Sequence, residues 1–200
     1  MIRDKPPQQD TILETDASRD TNNQPLNSDS LRIITLNCKN IQTCGPFLND
    51  MINRMDICMI QEHWLFNCQI QFLNEIHENL NGIVKSVDDS DPLQPIQMPR
   101  GYGGTGILWK KELDHLINVI DIGNERIQCV EFMGSSRKLL IVSVYMPCKG
   151  PQNHVLEFQE CVDMLYEITQ TYGTSHIIVF GGDFNEDIIN ASNNQRSRYI

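Results

Sequence analysis

No stretch of this chain approaches the length of a membrane-spanning helix, and its start lacks the basic flank and apolar run of a signal peptide. The expectation is an intracellular protein, nuclear or cytoplasmic, with no membrane contact. Basic side chains are few: 16 Lys and Arg stand against 26 Asp and Glu, a formal net charge of −10. That balance works against simple electrostatic attraction to a polyanion, so a nucleic-acid reading has to rest on local chemistry. No C-x-x-C pair occurs among the seven cysteines, Cys38, Cys44, Cys58, Cys68, Cys129, Cys148 and Cys161. An odd, scattered set reads as reduced thiols, with Cys58 and Cys129 in apolar runs as small core residues. The histidines, His63, His77, His115, His154 and His176, are read as ordinary side chains rather than zinc ligands.

What is present suits one domain with a sizeable core, since 40% of the 200 residues are apolar. Residues 1 to 30 are polar, contain Pro6, Pro7 and Pro25, and carry three basic and six acidic side chains. They read as a disordered leader before a domain spanning 31 to 200. A strand over 31 to 36 would deliver Asn37 to its end. Pro46 is placed at the start of a helix whose apolar positions are Phe47, Leu48, Met51, Ile52 and Met55. Residues 56 to 61 form the next strand, and Phe72, Leu73, Ile76 and Leu80 suggest a helix ending near Asn81-Gly82. Ser86 to Arg100, with three aspartates and three prolines, reads as a surface loop. Strands follow around 103 to 109, 116 to 121, 126 to 132 and 138 to 145, the last two forming a hairpin. Val155, Phe158, Val162, Leu165 and Tyr166 mark an amphipathic helix before a final strand. Strand–helix–strand alternation mixed with hairpins argues for an α/β sandwich.

Two strand ends carry the chemistry. The run His176-Ile-Ile-Val-Phe180 breaks into Gly181-Gly182-Asp183-Phe184-Asn185, where the glycines are expected to turn the backbone and aim Asp183 and Asn185 at one ligand. A phosphate ester and its attacking water suit that pair. The run Asp56-Ile-Cys-Met-Ile60 ends in Gln61-Glu62, a second carboxylate at a strand's C-terminal end, where sites on sheets are usually built. Glu62 is the best metal-ligand candidate, because Mg²⁺ takes oxygen ligands from one or two carboxylates and completes its shell with water and phosphate. An exposed strand-end carboxylate and a plain Asp-x-Asn turn are the competing readings.

Taken in order, Ile33-Ile-Thr-Leu-Asn37, Asp56 to Glu62, Gly101-Tyr-Gly-Gly-Thr-Gly-Ile-Leu108, Ser143-Val-Tyr-Met-Pro147 and Gly181-Gly-Asp-Phe-Asn185 resemble the endonuclease/exonuclease/phosphatase superfamily. Within it the chain is most similar to endonuclease domains of non-LTR retrotransposons, through Asn37-Cys-Lys-Asn40, Gln61-Glu-His-Trp64 and Tyr102 to Trp109. The resemblance implies a deoxyribonuclease I-like fold, two packed sheets between helical layers, here incomplete at the C-terminus. It implies Mg²⁺ or Mn²⁺ held by Glu62 with support from Asn37, and Asp183 deprotonating water. It also implies Asn185 bonding a phosphate oxygen and the Asp183 carboxylate, and Tyr145 donating to a non-bridging oxygen. Lys39 stands where abasic-site enzymes carry an acid, and is assigned with Tyr102 to substrate binding. Trp64 and Trp109 are candidates for base stacking, and Arg100 and Lys149 for phosphate contacts, against core burial and solvation as the bland outcomes.

Relatives continue past the Gly-Asp-x-Asn motif to a terminal Ser-Asp-His, whereas the fifteen residues after Asn185 contain no histidine. The expectation is therefore a truncated retroelement endonuclease domain acting on DNA, with little activity alone and a reverse transcriptase in a longer parent polypeptide. A noncatalytic nucleic-acid-binding remnant and a phosphatase of the same superfamily stay open as alternatives.

Overall fold

The structure is a computed structural model that describes residues 30–89, 93, 102–134, 137–149 and 155–186. Residues 1 to 29 of the expected leader, most of the expected loop before Gly101, and Arg100 itself lie outside the described residues. Along the chain run β1 (Ile33–Asn37), α1 (Ile41–Met51), β2 (Ile57–Gln61), α2 (Leu73–Ile76), β3 (Leu80–Lys85) and β4 (Thr105–Lys110). Then come β5 (Ile117–Asn124), β6 (Ile127–Met133), β7 (Lys138–Tyr145), α3 (Val155–Tyr172) and β8 (His176–Asp183). Among the described residues no helix is long and apolar enough to cross a membrane.

Two four-stranded sheets form, ordered β1-β2-β4-β3 and β5-β6-β7-β8. Each is antiparallel except for one parallel pair, β1 with β2 and β7 with β8. The period-two alternation of each strand sorts its side chains between layers. In β2, Ile57 and Met59 face the other sheet, meeting Val130, Phe132 and Ile141, while Cys58 and Ile60 face α1 and α2 through Ile41, Leu48 and Ile76. In the second sheet Ile127, Cys129, Leu140, Val142 and Val144 face α3 through Phe158, Cys161 and Ile168. Strands apolar on both faces are what a sheet covered on both sides requires. The two-sheet α/β sandwich expected from the sequence is the observed fold.

Several local expectations are corrected. Helix α1 begins five residues before Pro46, because the Asn40 side chain accepts from the Gln42 N–H and caps it there. Pro46 instead sits inside the helix and is exposed. The helix expected to run to Asn81-Gly82 is a 3₁₀ segment, Asn67–Phe72, followed by the single turn of α2. Leu80 joins the same apolar cluster as Leu73 and Ile76, but from strand β3. A shared burial site had mimicked helical spacing. The segment after β3 also departs from a surface loop at its start: Ser86 and Asp88 are buried, and Asp88 accepts from the Asn67 and Leu93 N–H groups. In α3, Tyr166 is exposed, and Cys161 and Ile168 complete the buried stripe.

Candidate active site

The two parallel pairs deliver the candidate residues. Asn37 ends β1 in register with Gln61 at the end of β2, and Tyr145 ends β7 in register with Asp183 at the end of β8. The sandwich brings these four strand ends together. The Asn37 side-chain NH₂ donates to Glu62 Oε1 at 2.8 Å and to Asp183 Oδ2 at 2.9 Å, so one amide ties a carboxylate from each sheet. Asp183 Oδ1 accepts from the Asn185 backbone N–H at 3.1 Å. The Asn185 side chain does not reach back to that carboxylate; its NH₂ donates to the Met146 carbonyl at 2.8 Å, and the Met146 N–H donates to the Asp183 carbonyl at 2.9 Å. The role expected for its amide on Asp183 is therefore filled by its main chain.

Glycines 181 and 182 do not form the expected turn, since β8 continues through both to Asp183. Their reason is close approach: a Cβ on Gly182 would collide with the Val144 carbonyl of the paired strand, and its φ of +149° suits glycine. The strand thus hugs β7 up to Asp183.

Backbone strain concentrates here. Among the described residues, the non-glycine positions with positive φ are Lys39 (43°), Asn40 (88°), Glu62 (54°), Trp64 (60°) and Asn185 (49°), all just beyond the ends of β1, β2 and β8. Such conformations cost about 1–3 kcal/mol each and persist only where the surroundings enforce them. Here the enforcement is a backbone zipper. Residues 62 to 64 donate from Glu62 and Trp64 to the carbonyls of Gly104 and Gly103, and accept on Glu62 and His63 from Asn40 and Ile41. Glu62 is consequently aimed toward Asn37 rather than continuing the strand's alternation.

Beneath the cluster the space between the sheets turns polar. Thr35 donates to Gln61 Oε1, the Gln61 NH₂ donates to Ser143 Oγ at 3.0 Å, and Thr105 and Ser143 hydroxyls meet at 2.8 Å. Gln61, Thr105 and Ser143 are buried, and an unmet group there would cost about 1–3 kcal/mol. This layer locks the register of the two sheets directly under the site. It escaped the sequence reading, as each member looks like an ordinary strand residue.

Tyr145 is half-buried, and its hydroxyl pKa is pushed up to about 12, first by burial and then by the negative charge of Glu62. It is a stable donor. Arg126, read from the sequence only as the start of a strand, lies with its guanidinium 5.6 Å from the centre of the Tyr145 ring. A cavity of about 310 Å³ opens beside them, walled by Tyr102, Gly104, Arg126, Tyr145, Pro147 and Cys148.

The remaining candidates divide. Tyr102 is exposed and packs at 5.4 Å against the Trp64 ring at the cavity mouth. Lys39 is exposed beside the cluster, its N–H reaching the Asn37 side-chain oxygen at 3.3 Å. Trp109 is 5% exposed, with its indole N–H on Asp114, so it is core and not a stacking platform. Lys149 is engaged by Glu186 at 2.7 Å.

Compared by sequence, the chain matches no family model and no curated protein. Compared by structure, it is similar to the endonuclease domain of TRAS1, a telomere-specific non-LTR retrotransposon, with 16% identity, TM-score 0.54, and coverage of 84% of this chain and 67% of that one. It is also similar to the Neisseria 3′ phosphatase NExo bound to a product DNA hairpin, with 16% identity, TM-score 0.54, and coverage of 81% and 60%. A third is the Bacteroides thetaiotaomicron mannosyl-6-phosphatase Bt3783, with 15% identity, TM-score 0.56, and coverage of 85% and 69%. The chain has the fold of the endonuclease/exonuclease/phosphatase superfamily. It spans between about six- and seven-tenths of the length of these three structures. In this superfamily fold, the carboxylates of Glu62 and Asp183 and the Asn37 amide lie at one end of the sandwich, where their bridging hydrogen bonds place them.

Proposed function

We propose that this domain hydrolyses phosphodiester bonds of DNA as a Mg²⁺-assisted endonuclease of the retroelement type. The observation that carries the reading is the Asn37 amide bonded to both Glu62 and Asp183, which couples a cation-holding carboxylate to a water-activating one across two sheets. The residues fit a hard divalent ion: two carboxylates and an amide offer oxygen ligands. Among the described residues no three or more His, Cys, Asp or Glu side chains gather so as to hold a metal ion, so substrate phosphate and water would have to complete its shell. Glu62 and Asn37 would hold Mg²⁺ or Mn²⁺, which supplies Lewis-acid stabilisation of the phosphoryl oxygens.

The chain's own groups do the rest. Asp183, held on both oxygens by Asn37 and Asn185 donors, keeps lone pairs directed outward to orient a water and accept its proton. Tyr145 donates to a non-bridging oxygen as negative charge develops. Asn185 fixes the loop after β8 through Met146, and Lys39 meets a phosphate at the rim. Among the described residues His63 adds no donor here, because its ring nitrogens are engaged by the Lys85 carbonyl and the Leu65 N–H. Turnover is expected to quicken when a segment bearing Ser-Asp-His supplies such a donor. A reverse transcriptase in one polypeptide is the partner this branch implies.

The test is plasmid nicking with Mg²⁺ by the chain joined to such a segment. Glu62→Gln and Asp183→Asn should each lower the rate at least about 10²-fold. Equal rates in both variants and the parent would remove the assignment.

A further inference from the structure

We propose that Gln61 is a positioning residue whose buried amide sets the sheet separation at which the Asn37 NH₂ reaches Glu62 and Asp183 together. Its consequence for turnover rests on the phosphodiesterase reading above and deepens it, whereas its hold on the Asn37 bridge is independent of that reading. Gln61 is 1% exposed, is the register partner of Asn37 across β1 and β2, and directly precedes Glu62. Thr35 stands two residues before Asn37 on β1, and Ser143 two residues before Tyr145 on β7, so the period-two alternation puts each on its neighbour's face. Gly181, the register partner of Ser143, stands in the same relation to Asp183 on β8. The layer that holds Gln61 therefore lies one step beneath the candidate residues and links the same strands.

The chemistry of an amide suits this place. Gln61 Oε1 accepts from the Thr35 hydroxyl at 3.1 Å, and its NH₂ donates to Ser143 Oγ at 3.0 Å, so one end serves the first sheet and the other crosses to the second. The Thr105 and Ser143 hydroxyls then share a bond of 2.8 Å, and the Ile60 carbonyl closes the chain, 3.2 Å from Thr105 and 3.4 Å from Ser143. An acceptor at one corner and donors at the other are what the glutamine amide offers and a carboxylate or an ammonium does not. Apolar contact is non-directional and lets packed sheets shift by fractions of an ångström, whereas these bonds fix both distance and angle. The bond from Asn37 to Asp183 has little slack: at 2.9 Å, it is lost once the sheets slip by roughly 0.7 Å and stretch it to about 3.6 Å.

The experiment reads the bridge directly and turnover second. In the isotope-labelled full chain, heteronuclear NMR follows exchange of the Asn37 side-chain NH₂ with water, the signal being assigned by its loss in Asn37→Asp. The parent is compared with Gln61→Met and with the triple variant Thr35→Val/Gln61→Met/Ser143→Ala. Gln61→Met strands the Thr35 and Ser143 hydroxyls and should lower the melting temperature. The triple variant removes those hydroxyls too and should recover most of the loss, because replacing both partners of a buried bond by apolar groups is nearly neutral. Exchange at Asn37 should nevertheless quicken at least about tenfold in both variants. In the extended protein of the nicking test, kcat should fall about 10²-fold in both, with little change in KM. If Gln61→Met does not fold, the triple variant decides alone. Slow exchange restored in the triple variant together with its stability would reduce the layer to packing and overturn the proposal. So would nicking unaffected by either variant while Asp183→Asn abolishes it. If exchange quickens as expected but Asp183→Asn leaves nicking intact, the catalytic reading fails and the hold of Gln61 on the Asn37 bridge stands.

Discussion

Tyr145 and Asp183 are register partners at the ends of the parallel strands β7 and β8, so the acid donor and the base of the proposed reaction are set by one ladder of backbone hydrogen bonds. Parallel pairing of strands that far apart in sequence needs a crossover, and α3 provides it. The distance between the two groups is therefore a property of the sheet and not of a loop.

Removing the Tyr145 hydroxyl should act on the transition state. Tyr145→Phe is expected to lower kcat by about 10²–10³ with little change in KM. Because its pKa lies near 12, the difference ultraviolet titration between parent and variant should show this tyrosine ionising near pH 12 and not near the ordinary value of about 10.

Asn37→Asp replaces a donor shared by two carboxylates with a third negative group. Stability should fall by about 1–3 kcal/mol, more at pH 8 than at pH 4, because the repulsion exists only between ionised groups. Added Mg²⁺ should recover part of the loss. Urea denaturation at the two pH values, with and without the ion, measures both effects.

Acid stability should decline in two steps. Burial lowers the His63 pKa to about 4, so the unfolded chain binds a proton that the folded chain refuses between the ordinary 6.5 and 4; stability is full above 6.5 and falls through that window. The His176 and Lys138 hydrogen bonds lower the Glu131 pKa to about 2, giving a second loss as pH falls from the ordinary 4.5 toward 2. Denaturation midpoints against pH should lose the first slope in His63→Asn and the second in Glu131→Gln.

Asp56 anchors the far end of the first sheet. It is fully buried, bonded by Arg32 at 2.8 Å and by Lys110 at 3.2 Å. Asp56→Asn leaves two partly exposed cations against a neutral group and should cost about 1–3 kcal/mol in urea denaturation, with no specific effect on Mg²⁺ affinity.

The strands were legible because their apolar runs are long and bounded by polar breaks, and the candidate residues because Asn37, Glu62, Tyr145 and Asp183 each end such a run. The errors arose where burial and periodicity part company. Leu80 satisfies the helical spacing of Leu73 and Ile76 yet reaches the same cluster from β3. Gly181 and Gly182 look like a turn and are instead the part of β8 that presses against its neighbours. Trp109 looked available for stacking and is core.

By itself the sequence determined which residues end strands and that two carboxylates would lie at C-terminal strand ends. These follow from local patterns, which one-dimensional spacing encodes. Only the tertiary structure decided that Asn37 stands between Glu62 and Asp183, that Gln61, Thr105 and Ser143 form a polar floor, and that Arg126 lies over Tyr145. Each of those contacts joins positions far apart in the chain. Their geometry is fixed by how two sheets pack and by the hydrogen bonds buried between them, which no short window of residues contains.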